Sequence, residues 1–212
     1  MSSTPSSLQP PPDAERRQLY SALVALCRKR GLGKVTSDQI ARQAGLNPGV
    51  FDRHFADADD CFAQYLIDAC LSFIQRAEAA TEDVQNWTSR LRAVVNEIVS
   101  FLHADEDRAH MLLSEAPAAG PRGSLVRDEA LAKLADLIDS GRDLMDDPAA
   151  LTRITAEAIS GALFNQMRLL QERGELEHAR EFVPQLMYFL VLPYLGREAA
   201  TQELSRPPMP GT

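Results

Sequence analysis

Cysteine and long apolar runs are scarce in this 212-residue chain, and their scarcity excludes several classes of protein. The three cysteines, Cys27, Cys61 and Cys70, are odd in number and lack the spacing of a metal site. We interpret them as reduced thiols within apolar helical patterns, with a redox sensor as the alternative. The longest apolar segment, Leu186 to Leu195, is too short to cross a bilayer, so we do not expect a membrane-spanning protein.

Motifs for enzymatic chemistry are missing as well. The sequence contains no G-x-S-x-G, no H-E-x-x-H, no glycine loop for a phosphate and no paired cysteine motif. Glu157 and His178 are isolated titratable residues, and the acids between His103 and His110 would point in different directions from a helix. We therefore expect no metal, no cofactor and no enzymatic activity. A helical enzyme of unrecognised type stays open as an alternative.

The opening segment MSSTPSSLQPPP lacks the features of a signal peptide, because it has neither a basic start nor an apolar stretch. Its serine and proline content predicts a disordered arm over residues 1–12. Together with the reduced cysteines, this segment favours a cytoplasmic protein.

Alternating apolar and polar residues, the pattern of half-buried strands, are absent too. Apolar residues recur three and four apart instead, in a helix from about Asp13 to Arg30 and in a stripe from Trp87 to Phe101. A shorter helix is predicted around Arg108–Ala116, and the prolines and glycines from Pro117 to Gly123 predict a break after it. The sequence therefore predicts an all-α fold.

Positive charge is in the minority, since 22 lysines and arginines face 30 aspartates and glutamates, for a net charge of -8. The balance is uneven along the chain. Residues 1–56 hold eight basic and four acidic residues, a net of +4, and the remainder holds 14 and 26, a net of -12. A basic head on an acidic body fits a module that touches nucleic-acid phosphate with one end only. Chance variation of surface charge is the alternative.

The segment from Val35 to Phe55, VTSDQIARQAGLNPGVFDRHF, has the pattern of two short helices joined by a tight turn. Thr36 is a favoured N-cap, and Gly45 tolerates the left-handed backbone that ends a helix. Asn47 is a second cap, and Pro48 at the first helical position lacks only an amide donor that would be unpaired there. These residues predict a helix-turn-helix, the element that places a helix end in the DNA major groove.

On these residues the sequence resembles the tetracycline repressor (TetR) family, whose pattern is T-x-x-x-I-A-x-x-A-G-V-S-x-G-x-[LF]-Y-x-H-F-x-[SD]-K. Residue type and spacing agree at ten positions, which are Thr36, Ile40, Ala41, Ala44, Gly45, Gly49, Phe51, His54, Phe55 and Asp57. The resemblance implies an all-α fold with an N-terminal three-helix DNA-binding domain over residues 13–57. A larger helical ligand-binding and dimerisation domain would follow over residues 58–203, with a tail at 204–212.

The resemblance implies a ligand-responsive repressor that binds a palindromic operator in double-stranded DNA as a dimer. We expect phosphate contacts from the start of the first short helix, base contacts from the start of the second, and backbone contacts from its end. The expected DNA-binding residues are Thr36, Ser37, Asn47, Pro48, Gly49, Val50, Arg53 and His54. Because the reading face holds Pro, Gly and Val, contact with thymine methyl groups and DNA shape would carry much of the specificity.

Two positions depart from the family pattern. Asp52 stands where the family has a tyrosine, and Ala58 stands where it has a lysine. A carboxylate repels phosphates, and the loss of a lysine weakens the electrostatic attraction that dominates DNA affinity. The alternative function is therefore a TetR-like protein with weakened or lost operator binding, which acts through a ligand or a protein partner.

The last two helices are predicted at about residues 148–173 and 178–200. Asp147 and Pro148 are a cap and a first-turn residue, and Gly174 ends the pattern. The stretch Leu186–Leu195 has no polar side, and a helix that is apolar all round must be buried all round. The resemblance implies that these two helices pair with their copies in a homodimer. A central core helix in a monomer is the alternative.

The resemblance also implies a pocket among the middle helices for an unknown small effector. Few charges fall at positions that the pattern buries, so we expect an apolar or amphipathic effector. The candidate lining residues are Trp87, Phe101, Met111, Phe164, Asn165 and Met167. Each of them is also compatible with plain core, because an aromatic stripe at helical spacing is the usual inner face of a helix.

Overall fold

The computed structural model describes residues 13–116 and 120–206, without the side chains of Gly120 and Arg122. Every regular element in these residues is helical, which confirms the predicted all-α fold. The α-helices are α1 (Ala14–Arg30), α2 (Ser37–Ala44), α3 (Pro48–His54), α4 (Ala58–Thr81), α5 (Trp87–His103), α6 (Glu106–His110), α7 (Gly120–Asp139), α8 (Arg153–Arg173) and α9 (Val183–Leu204). The predicted arm at 1–12 and residues 207–212 of the predicted tail lie outside the described residues.

The chain divides into two compact units, with the boundary between Phe62 and Ala63. In the first unit, α1 begins where the Asp13 side chain accepts a hydrogen bond from the Arg16 amide, at 2.8 Å. Its inner face is fully buried, as are the facing residues of α2 and α3. The residues of this core include Leu19, Leu23, Cys27, Ile40 and Phe51. The apolar positions three and four apart therefore pack three helices around one small core.

The core of the second unit forms where α5, α8 and α9 bury their apolar faces together. Trp87, at the start of α5, donates from Nε1 to the Leu137 carbonyl at 2.9 Å, and its ring lies 5.4 Å from that of Tyr194. Gly141 lies against this indole, so closely that a Cβ there would come within 2.7 Å of Trp87 Cε2. Only glycine fits this contact without moving the ring, because the indole is held by its hydrogen bond.

The predicted break before α7 is wrong in part. Pro117 lies outside the described residues, but Gly120, Pro121 and Gly123 belong to the first turn of α7. Proline is tolerated there because the first-turn amides have no intrahelical partner. The helix predicted around Arg108–Ala116 divides into α6 and a π-helical turn at Met111–Glu115.

The predicted bounds of the last two helices are also corrected. Asp147 accepts from the Ala149 amide at 3.1 Å, but this cap serves only a short 3-10 turn at Pro148–Ala150. Leu151 is extended, with φ -116° and ψ 153°, so the helix begins again at Arg153. At 21 residues, α8 is about 32 Å long rather than about 39 Å.

A second 3-10 segment, Leu176–Phe182, precedes α9, which begins at residue 183 rather than 178. Within α9 the helical backbone is interrupted at Gly196, whose φ of 76° only glycine adopts freely. Pro193 lies three residues earlier and removes one helical hydrogen bond. No helix among the described residues is both long enough and apolar enough to span a membrane.

Candidate nucleic-acid interface and ligand cavity

Helices α2 and α3 form a helix-turn-helix in which each local signal of the sequence is used. The Thr36 side chain accepts from the Gln39 amide, and Gln39 accepts from the Thr36 amide in return, which is a complete capping box. Gly45 is left-handed, with φ 69° and ψ 24°, and ends α2. Asn47 accepts from the Gly49 amide at 3.0 Å and starts α3 with Pro48 in the first turn. The turn between the two helices is therefore three residues long.

The inner side of α3 is fixed by aromatic packing. Phe51 and Phe55 are buried, with ring centroids 5.5 Å apart, and Tyr20 of α1 lies 5.7 Å from Phe55. The opposite side of α3 faces out. Among the predicted DNA-binding residues, those that are exposed are Thr36, Asn47, Pro48, Gly49 and Arg53, and those that are half-buried are Ser37, Val50 and His54. We call these eight exposed or half-buried residues the reading surface.

Arg53 and His54, the two candidates at the end of α3, both contact Glu15 of α1. Arg53 Nη2 lies 3.1 Å from Glu15 Oε2, and His54 Nε2 lies 2.9 Å from the same oxygen. Hydrogen bonds from His54 and Arg53 lower the pKa of the Glu15 carboxyl below its ordinary value. Asp13 adds a second carboxylate, 4.0 Å from His54 Nδ1. Sequence reasoning missed this pairing, since no local pattern relates residues 38 positions apart.

The two departures from the family pattern have different surroundings. Asp52 is exposed on α3, so its carboxylate adds negative charge beside the reading surface. Ala58 is buried at the start of α4, with 9% of its surface accessible, and presents no side chain to solvent. Of the two, Asp52 is therefore the one that acts directly on an approaching phosphate.

Comparison with protein families agrees with this geometry. Residues 19–65, which hold most of α1, all of α2 and α3 and the start of α4, match the family described as bacterial regulatory proteins, tetR family. Residues 19–65 of the chain are therefore similar to the TetR family. The resemblance drawn from the ten motif positions is confirmed over these residues, which contain the helix-turn-helix of α2 and α3.

Solved structures of TetR-like regulators share the fold over nearly their whole length. The fatty acid degradation regulator FadR of Bacillus halodurans is 17% identical, with a TM-score of 0.74 over 85% of this chain and 96% of that one. The regulator FadR of Bacillus subtilis, solved in complex with stearoyl-CoA, is 18% identical, with a TM-score of 0.72 over 82% and 97%. A ketosteroid transcriptional regulator of Mycobacterium tuberculosis is 16% identical, with a TM-score of 0.63 over 84% and 95%.

The second unit of the chain contains a cavity of about 360 Å³ between α4, α5, α7 and α8. Its wall is almost wholly apolar, and the lining side chains include Leu66, Phe73, Val94, Ile98, Leu131 and Leu163. A volume of this size lies at the lower end of the range for small-molecule sites.

Three of the six predicted lining residues, Phe101, Phe164 and Met167, lie on the wall of this cavity, and three do not. Trp87 is packed in the core against Tyr194, and Met111 is fully buried without reaching the cavity. Asn165 is on the outer surface of α8, where it accepts from Arg168 at 2.9 Å. The helical period of α8 explains this split, because Asn165 lies on the opposite side from Leu163 and Met167.

Helices α4 and α7 contribute much of the wall, and sequence reasoning assigned none of it. The sequences of both helices have apolar residues three and four apart. A helix face that lines a cavity has the same period of apolar residues as one that fills a core. Four charged residues border the cavity. Glu78, Arg90 and Lys133 are exposed to solvent, and Arg127 pairs with Asp128 at 2.7 Å.

Cys70 is the cysteine that reaches the cavity, and Cys27 and Cys61 are buried elsewhere. Burial raises the pKa of the Cys70 thiol to about 11, and that of Cys61 is raised by the same cause. Both thiols therefore stay protonated near neutral pH, where a thiol reacts slowly. Among the described residues, no group of three or more histidines, cysteines and acids is placed to hold a metal.

Phe101 is the cavity residue with the most directed contacts. Its ring lies 3.9 Å from the guanidinium of Arg108 and 5.6 Å from that of Arg76, which is on α4. Phe73 meets the same ring edge-on at 5.5 Å, and Arg108 also donates to the Phe101 carbonyl at 2.7 Å. A ligand that moved this ring would therefore act on α4 through two contacts, one aromatic and one cationic.

Proposed function

We propose that this chain is a cytoplasmic repressor that binds a palindromic operator as a homodimer and is released from DNA by a small apolar or amphipathic effector. The observation that carries the proposal is the reading surface, an exposed helix start rigidly backed by Phe51 and Phe55. The uneven charge of the chain supports the same conclusion, because the first 56 residues carry a net charge of +4 in a chain whose net charge is -8.

Within this proposal the reading surface divides by role. Thr36 and Ser37, at the start of α2, contact phosphate. Pro48, Gly49 and Val50, at the start of α3, face the bases, and Asn47 orders that start as its cap. Arg53 and His54 contact the DNA backbone once phosphate replaces Glu15.

The homodimer is proposed to form through α8 and α9. On α8, Ala158, Ala162 and Asn165 are exposed, so a neighbouring helix could approach closely. On α9, Phe189 is 51% exposed and Phe182, just before its start, is 40% exposed. Exposed large apolar side chains are typical of a surface that is covered by a partner. A two-fold dimer would present two reading surfaces to half-sites one DNA turn apart, about 34–36 Å.

The effector is proposed to occupy the apolar cavity. The TetR-like regulator of Bacillus subtilis was solved with stearoyl-CoA, and that of Mycobacterium tuberculosis is a ketosteroid regulator, so both relatives are linked to molecules with a large apolar part. For release from DNA, the effector must favour the conformation that does not bind the operator.

Selection from a pool of random DNA duplexes tests the operator proposal. We expect enrichment of a palindrome, and we expect Arg53→Ala and His54→Ala each to weaken binding to every sequence. Each should also reduce the slope of log affinity against log salt by about 1 between about 50 and 200 mM. The matched control is Lys29→Ala, at the opposite end of α1 from Glu15, which should leave the slope unchanged.

Failure of the pool to yield any palindrome would favour the second function, a TetR-like protein that acts through its ligand or a partner. Exposed Asp52 and the engagement of Arg53 and His54 by Glu15 are the observations in favour of that function. An affinity that stayed constant with salt would contradict the assigned phosphate contacts directly.

Stearoyl-CoA, compared with coenzyme A alone, tests the effector proposal. At about 100 times its dissociation constant, stearoyl-CoA should raise the melting temperature by about 5 °C and release the selected operator, whereas coenzyme A should do neither. Ala130→Trp, which places an indole in the cavity wall, should abolish both effects. Ala132→Trp is the control, since residue 132 is exposed on the same helix and does not line the cavity. Equal responses of the two variants would contradict this binding site.

A further inference from the structure

One carboxylate contacts both the arginine and the histidine of the reading surface. Arg53 Nη2 donates to the two oxygens of Glu15, at 3.2 and 3.1 Å, and His54 Nε2 lies 2.9 Å from Oε2. The contact does not depend on the conformations of flexible side chains alone. It is set by the packing of α1 on α3, where Phe55 is buried against Tyr20.

The Glu15 carboxylate offers Arg53 and His54 the same chemistry as a DNA phosphate. Both groups are anions with two oxygens that accept from guanidinium and imidazole nitrogens. Arg53 uses only Nη2 on Glu15, so its other nitrogens can still reach a phosphate. Its charge is nevertheless already offset, and the attraction that it exerts on a duplex is reduced accordingly.

We propose that Glu15 is a specificity-determining residue of the reading surface, which holds Arg53 and His54 in the free protein and suppresses binding to DNA that lacks the operator. This inference rests on the proposed function, because it needs Arg53 and His54 to contact phosphate. The Glu15 pair is exposed, with 63% of the Arg53 side chain and 42% of the Glu15 side chain accessible. Exposed ion pairs are weak, so a well-placed phosphate can displace the carboxylate.

The suppression falls unequally on the two kinds of DNA. A random duplex is bound almost entirely through phosphates and in many registers, so no single phosphate is held where it can displace the carboxylate, and Glu15 stays beside the DNA. In the operator complex, base contacts at Pro48, Gly49 and Val50 and a fit to DNA shape select one register, in which a phosphate replaces Glu15. Because the free-energy cost of Glu15 is then larger for the random duplex, Glu15 raises the ratio of operator affinity to random-duplex affinity.

Glu15→Gln tests the proposal, because it removes the charge and keeps the shape of the side chain. At about 100 mM salt we expect random-duplex affinity to rise about fivefold to tenfold, and the salt slope to steepen by about 1. Affinity for the selected operator should rise less, so that the ratio between them falls by about threefold. Melting temperatures of both proteins check that the fold is retained.

Asp59→Asn is the matched control. Asp59 is an exposed acid in the first turn of α4 and belongs to the same unit, but it contacts neither Arg53 nor His54 in any hydrogen bond or ion pair of the described residues. The variant changes the net charge as Glu15→Gln does, so a general charge effect would shift the two proteins equally. We expect random-duplex affinity to change by less than about twofold in Asp59→Asn.

A mutant cycle shows whether the effect passes through the two proposed partners. In a background that carries both Arg53→Ala and His54→Ala, Glu15→Gln should give no more than the change seen in Asp59→Asn. A gain of the same size with and without Arg53 and His54 would overturn the proposal, as would equal gains in Glu15→Gln and Asp59→Asn.

Retention on heparin separates this inference from the proposed function, because heparin is an anion without base sequence. If no palindrome is selected but Glu15→Gln elutes at higher salt than both the parent protein and Asp59→Asn, the operator function fails and the hold of Glu15 on the cations stands. If a palindrome is selected and heparin retention is the same in all three, the function stands and the role of Glu15 is wrong.

Discussion

Phe189→Glu is expected to make the protein a monomer and to lower its operator affinity more than about a hundredfold. Phe189 is 51% exposed on α9, one of the two helices of the proposed dimer surface. In a two-fold interface one substitution buries a carboxylate from each subunit in an apolar contact, where it is poorly solvated. A monomer keeps one reading surface and loses the second half-site. Sedimentation velocity and operator titration measure the two effects.

Leu125→Glu is the control for this dimer prediction. Leu125 is a still more exposed apolar residue, at 69%, and it lies on α7, which is not one of the two helices of the proposed dimer surface. The variant should stay dimeric and bind operator normally. A dimer of Phe189→Glu with unchanged affinity would contradict the assignment of α8 and α9 as the dimer surface.

The helix-turn-helix could be predicted from the sequence because its signals act over three or four residues. The Thr36 capping box, the left-handed Gly45 and the Asn47 cap each depend on hydrogen bonds to neighbouring residues. Such bonds are decided by residue type and spacing alone. The buried Phe51 and Phe55 followed from the same period.

Predictions from neighbouring residues were less reliable where the same residue pattern fits two kinds of element. Asp147 and Pro148 do form a cap, but the turn that they start ends at Ala150. A cap of this kind does not distinguish a single turn from a long helix, since both begin identically. Gly120 and Pro121 show the converse error, because residues that end one helix are equally suited to the first turn of the next.

Contacts between distant residues could not be predicted from a single sequence. Glu15 meets Arg53 and His54 across 38 and 39 positions, and only the packing of α1 on α3 brings them together. The cavity is a similar case. Phe101 and Trp87 share one apolar stripe, yet the first lines the cavity and the second fills the core, because the facing helices differ.

Arg92 and Glu203 form the most buried ion pair of the second unit, across 111 positions. Arg92 Nε and Nη2 donate to Glu203 Oε2 at 2.8 and 2.5 Å, and Nη2 also donates to the Glu203 carbonyl at 2.9 Å. The two residues are 8% and 2% exposed. This pair fastens the end of α9, beyond the interruption at Gly196, to α5. The end of the proposed dimer helix is therefore held to α5 by an ion pair, beyond the point where the helical conformation of α9 is interrupted.

Glu203→Ala is expected to lower the free energy of unfolding by about 3–5 kcal/mol. The substitution leaves the Arg92 guanidinium buried without a counter-charge, and Arg92 Nη1 already has no hydrogen-bond partner. The cost is therefore that of an uncompensated charge, more than that of a lost attraction. Urea unfolding followed by circular dichroism measures it.

Two further variants decide whether burial is the cause of this loss. Replacing both partners, as Arg92→Met with Glu203→Leu, removes the stranded charge and should recover most of the stability. Asp136→Ala removes the carboxylate of an exposed pair that also joins two helices, where Arg153 Nη1 lies 2.6 Å from Asp136 and both side chains are largely accessible. Water and Glu157 still solvate Arg153 there, so the loss should stay below about 1 kcal/mol. If Asp136→Ala cost as much as Glu203→Ala, desolvation of Arg92 could not explain the effect, and the hold of α5 on the end of α9 would have to come from packing alone.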